Sequence, residues 1–235
     1  MGSLESMQMR QVAAKGAVGQ VGTDLPVAIR LKYVGSGTVT SVTTTTATNI
    51  VMITSDGGTD TYAFATYTTV ATLAAAINAD GIFEAKILDT LPSETTASQF
   101  VTGAITSSTL DGVTIWDVLV DTSAAKYFAY RLTSDRGFNN TPSGNRRVHL
   151  KEFVYYITLG GAGANLVKVY DVKGSTETLV YQQASVSATK TTENWASGNG
   201  YLTADEGHDL LVYLSDGTSI SDAAANYLYV SGLVE

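Results

Sequence analysis

The chain has no cysteine, so disulfide staples, thiolate metal sites and cysteine nucleophiles are all excluded. Histidine is nearly as scarce, with only His149 and His208, and neither stands in a paired metal spacing such as His-x-x-x-His. The usual nucleophile–base pairs are therefore short of a base, and no G-x-S-x-G elbow supplies a serine nucleophile. Positive charge is also low: 14 lysines and arginines face 22 acidic residues, for a net charge of -8. That balance argues against a phosphate-neutralising surface, so no nucleic-acid partner is expected. Long apolar runs are missing too; none reaches the ~18 residues needed to cross a bilayer as a helix. The N-terminal stretch lacks the apolar h-region of a secretory signal. Neither a membrane partner nor a cofactor is expected.

What remains is 235 residues with 44% apolar content, enough for one large or two smaller cores. Residues 1–24 are small, glycine-spaced and without period, and read as an extended arm that orders against a neighbour. "LPVAIRLKY" alternates Val27, Ile29 and Leu31 with Arg30 and Lys32, the period of a half-buried strand. Two β-rich runs joined at Asp56-Gly57-Gly58 predict a hairpin. Next comes the one clear helix, over about 69–79: Thr68 or Thr69 caps it, Val70, Leu73, Ala74 and Ile77 repeat at helical spacing, and Gly81 sits at the C-terminal cap. "IFEAKIL" returns as a strand.

After the glycine- and asparagine-rich segment 134–147 the chain reads as strands and turns, the pattern of an antiparallel β-sandwich or jelly roll, with a further short helix conceivable only at 222–225. The expected organisation is an arm over 1–24, an α+β domain over 25–140 and a sandwich over 141–235. In the sandwich, Leu210, Val212 and Leu214 share one face while Leu211 and Tyr213 take the other, so that strand is expected to be covered on both sides.

Catalytic and metal-ligating residues are not expected. His149 and His208 read as surface or turn residues, and the carboxylates of Asp205, Glu206 and Asp209, like those of Asp56 and Asp60, read as solvated turns lacking the spacing of a calcium loop. "GGAGAN" at 160–165 reads as a hairpin loop because no helix follows it. The 13 tyrosines are the richest signal. They fill half-buried strands in the ordinary reading, or stack on sugar rings together with Trp195 and Tyr201 in an alternative one.

The stretch from Tyr33 to Asp89, with Tyr62, Phe64, Leu73, Ile77, Asn78, Gly81, Phe83 and Ala85, resembles a strand–helix–strand module of tailed-bacteriophage virion structural proteins. The β-rich remainder is similar in texture to sandwich domains of capsid decoration, head-fibre and tail proteins. The resemblance implies a non-enzymatic virion protein, most simply a decoration or cement protein on the capsid exterior. Such a protein would be a homotrimer bound to the major capsid protein or other virion proteins. On that reading Arg10, Lys15 and Arg30 are the expected contacts to an acidic shell, and the alternative is a receptor- or glycan-binding sandwich presenting Trp195 and Tyr201.

Overall fold

The computed structural model describes residues 5–13, 25–97, 99–121, 127–133, 136–138, 147–156, 165–185, 191–194, 201–215 and 227–234. These residues are mainly β, with antiparallel sheets and one helix, as the strand patterning requires. The chain divides into two compact units. One is Val27–Asp121 with Gly137–Asn140; the other is Met1–Pro26, Thr122–Arg136 and Thr141–Glu235. The first unit is thus inserted into the second.

The inserted unit has two four-stranded sheets. One runs β6 (Phe83–Ile87), β2 (Val27–Tyr33), β9 (Val113–Leu119), β8 (Ser107–Leu110); the other runs β5 (Gly58–Ala63), β4 (Asn49–Thr54), β3 (Val39–Thr45), β7 (Gly103–Ala104). Helix α1 (Val70–Asp80) packs mainly on β6 and buries Val70, Leu73, Ala74 and Ile77. Its N-terminus is closed by a reciprocal box in which the Thr69 hydroxyl accepts from Thr72 N and the Thr72 hydroxyl accepts from Thr69 N. It stops at Gly81, whose φ of 72° lies in the left-handed region where any side chain is strained.

Two polar groups of the resembling motif anchor the end of this helix. The Asn78 amide donates to Ala85 O at 3.0 Å and accepts from Ala85 N at 2.8 Å, satisfying both main-chain groups of one β6 residue. The Tyr62 hydroxyl donates to Asp80 Oδ2 at 2.6 Å, joining the helix to β5. Burial and that carboxylate push the Tyr62 phenol up. Beneath the helix, Phe83 meets Trp116 edge-on at 6.0 Å and Tyr33 at 5.5 Å.

The second unit is a sandwich. One sheet runs β1 (Glu5–Ala13), β17 (Tyr227–Val234), β11 (Val148–Tyr156), β14 (Thr191–Asn194), with β15 (Leu202–Thr203) also on β11. The other runs β10 (Tyr127–Leu132), β16 (Asp209–Ser215), β12 (Asn165–Lys173), β13 (Thr176–Ser185). Leu150, Phe153, Leu228 and Val230 of the first sheet and Tyr130, Val167, Val169, Leu210, Val212 and Leu214 of the second form one core between them. All five residues from Leu210 to Leu214 are buried, so β16 is covered on both faces as its unbroken apolar run predicts.

Two expectations about organisation change. Residues 5–13 of the expected arm form a strand, running antiparallel to β17 from Glu5 opposite Val234 to Ala13 opposite Tyr227. Its partner lies at the far end of the sequence, so no local pattern announces the pairing. The boundary also moves. Residues 127–132, assigned from sequence to the first domain, pair with β16 from Tyr127 opposite Ser215 to Leu132 opposite Leu210, which places them in the sandwich. The segments 160–164 and 222–225 lie outside the described residues.

Candidate functional site

Among the described residues, one group of histidine and carboxylate side chains lies close enough to share a ligand, at the turn that joins β15 to β16. Ala204 N donates to Val148 O at 2.9 Å and His208 N to Asp205 O at 3.0 Å, while Gly207 takes the φ of 74° that closes the turn. This brings Asp205 and His208 onto the end of β12, where Asp171 stands opposite Leu210. Asp171 is only 8% exposed. One of its oxygens accepts from Asp205 N at 2.9 Å and the other is bonded to His208 Nδ1. Ligand atoms of Asp171, Asp205 and His208 all lie within 4.8 Å of one another. Nearby, the buried Arg131 side chain faces Asp209 at 3.8 Å. The exposed Arg147 and Glu206 stand 4.0 Å apart, a separation that contributes little in water.

A His–carboxylate pair is two-thirds of a hydrolytic triad, but a triad also needs a hydroxyl or thiol on the imidazole. His208 bonds to none among the described residues. The arrangement can hold a turn, balance charge or accept a cation.

Beside this turn lies the aromatic group singled out from sequence. Tyr201 is 44% exposed, one of three large apolar side chains among the described residues that stand that far out. The His149 ring meets it edge-on at 6.0 Å, and His149 Nδ1 shares a hydrogen bond of 2.8 Å with Thr203 Oγ1, its register partner. His149 is therefore part of a ring-and-hydroxyl cluster across β11 and β15. By contrast Tyr127 is fully buried and stacks at 4.8 Å on Tyr213, which Tyr170 meets edge-on at 6.1 Å. Those tyrosines pack the sheet and offer no platform.

The expected shell contacts fare differently from one another. Arg10 lies on β1, while Lys15 and Trp195 fall outside the described residues. Arg30 is no surface contact: it is 5% exposed and grips Asp117 with two parallel bonds, Nε to Oδ1 at 2.6 Å and Nη2 to Oδ2 at 2.7 Å. Alternation puts Arg30 on the polar side of β2, and its register partner on the neighbouring strand β9 is Asp117. The ion pair also neutralises the one charged residue lining a cavity of about 310 Å³ bounded by Val101–Thr106, Asp117 and Leu119.

The carboxylates at the hairpin have an internal use. Asp56 accepts from Ser36 N at 2.8 Å and Gly37 N at 2.9 Å. The Tyr33 hydroxyl, together with these amides, holds its carboxyl well below the usual carboxylate range. A Cβ at Gly35 would come within 2.6 Å of both Asp56 Oδ2 and the Tyr33 hydroxyl, which explains the glycine there.

The residue that sequence reasoning missed is Asp171. It sits within "LVKVYDV", where alternation with Val167 and Val169 puts residue 171 on the core face. A carboxylate on a core face is the signal that could have found it. No family model matches the chain, and no curated protein matches it either.

Proposed function

We propose that the chain is a non-enzymatic virion structural protein of a tailed bacteriophage, acting as a capsid decoration or cement protein. The observation that carries the reading is the strand order of the sandwich. Taken in sequence as eight strands (β1, β10, β11, β12, β13, β14, β16, β17), the order first–eighth–third–sixth in one sheet and second–seventh–fourth–fifth in the other supports a jelly-roll reading of the sandwich. Jelly rolls recur in viral capsid and lectin domains, and the sequence resemblance of residues 33–89 points to the virion. On this reading the protein sits on the capsid exterior as a trimer, bound to the major capsid protein. Many moderate contacts then bridge capsomers, and internal pressure must break several at once.

The test is co-sedimentation of the purified chain with empty capsids, together with its location in images of intact particles. Deleting the N-terminal segment is not a clean probe, because it removes a sandwich strand. Charge reversal at Arg10 and Lys15 is the suitable variant, with weaker sedimentation expected. A chain that neither oligomerises nor binds a shell overturns the proposal.

A second reading, a receptor- or glycan-binding module, is favoured by the exposed Tyr201 ring beside His149 and Thr203, an aromatic face with polar neighbours. Glycan-array binding that disappears in Tyr201→Ala supports it. An array with no signal, or one unchanged by that variant, removes it.

A further inference from the structure

We propose that Asp171, Asp205 and His208 form a site for a divalent transition-metal cation, with Zn2+ the best fit. The inference goes beyond the virion reading and does not depend on it. It begins with charge. A carboxylate as deeply buried as Asp171 is ordinarily matched by a cation, because desolvating an unpaired charge is costly. Among the described residues no lysine or arginine pairs with Asp171 or Asp205. What faces Asp171 is the His208 imidazole, which pairs with it, and a second carboxylate, so the trio carries a net negative charge whether or not the imidazole is protonated.

The geometry then selects the kind of cation. Donors to one tetrahedral Zn2+ lie about 3.4 Å apart, given metal–ligand distances of about 2.0–2.2 Å. The three ligand atoms span at most 4.8 Å, and the exposed Asp205 side chain can close the difference by rotation. One nitrogen and two carboxylate oxygens suit Zn2+, whereas Ca2+ requires 6–8 oxygens and Mg2+ keeps most of its waters. Three protein ligands leave a fourth position to water or to a side chain from a partner. Binding replaces the direct bond between His208 and Asp171. Nδ1 then gives its lone pair to the metal, and the neutral ring carries its proton on Nε2.

The test uses the untagged full chain, stripped with EDTA and titrated with Zn2+ against a chromophoric chelator at pH 7.5. One Zn2+ per chain is expected, with at least a hundredfold preference over Ca2+ and Mg2+, and a rise in Tm on saturation. Asp205→Asn keeps the backbone N–H that Asp171 uses and alters an exposed side chain. It should weaken Zn2+ binding at least tenfold and leave the metal-free Tm unchanged. His208→Gln should abolish stoichiometric binding, and His149→Gln should not affect it. Absence of one-to-one binding to the folded wild type overturns the assignment. So does binding that survives both Asp205→Asn and His208→Gln, or that is lost only in His149→Gln.

Discussion

The inserted unit and the sandwich bury polar groups in different ways. The insert carries Arg30, Asp89, Thr90, Thr96 and Gln99 inside and ties them together: Val27 N donates to Asp89 Oδ2 at 3.1 Å, Gln99 Nε2 to Thr90 Oγ1 at 3.0 Å, and Arg30 to both oxygens of Asp117. The sandwich core between the two sheets is aliphatic and aromatic, and its buried charges, Arg131 and Asp171, stand near the start of β16. Where buried contacts are polar and directional, each one fixes a register. Where they are long-range and apolar, strand pairing and volume do that work, and polar side chains gather at the rim, where a site can form.

The largest effects should come from breaking each core separately. Phe153→Ala in the sandwich should cost about 3–5 kcal/mol, and Ile77→Ala in the insert about 2–5 kcal/mol. Calorimetry of the full chain should show each substitution lowering a different transition. If both shift one common transition equally, the two-core description fails.

Next comes the buried ion pair. Arg30→Ala strands the Asp117 carboxylate and should cost about 3 kcal/mol, whereas Lys32→Ala, which breaks the exposed pair with Glu84, should cost under about 1 kcal/mol. Urea unfolding of a fragment spanning 27–121 measures both, and is itself a test that this unit folds without the sandwich. At the helix ends, Gly81→Ala and Thr69→Ala should each cost about 1 kcal/mol in the same assay.

The smallest effect is that of acid. Because the folded-state carboxyl of Asp56 titrates below its unfolded value of about 3.9, its contribution is fully present above that pH. It is lost as pH falls from there through the folded value. The Tm of the fragment should therefore fall between pH 5 and pH 2 more steeply for wild type than for Asp56→Asn.

Much of the insert was legible because its signals are local. Thr69, the apolar spacing of Val70, Leu73 and Ile77, and Gly81 specify a helix that the structure places over Val70–Asp80. The sandwich strands were legible as strands, and the double burial of Leu210–Leu214 followed from their unbroken apolar run. What sequence concealed was pairing at a distance. Arg30 reads as solvent-facing until Asp117 is known to lie across from it on β9, and Glu5–Ala13 reads as an arm until β17 is set beside it. For the same reason the Asp171–Asp205–His208 group could not be seen: Asp205 and His208 suggest only a turn, and the third member arrives from another strand.

The pairing of the first strand with the last also bears on how the chain is made. Synthesis delivers β1 well before β17, while all of Val27–Asp121 emerges in between with every strand partner it needs. The insert can fold while the chain is still growing, but the sheet containing β1 closes only when Tyr227–Val234 arrive, a slow, high-contact-order step. A polypeptide that stops short of Tyr227 leaves β1 and β11 each without the neighbour that separates them. Closing the sandwich is thus a late event: only a chain extended through β17 acquires a first sheet in which β1 and β11 are joined.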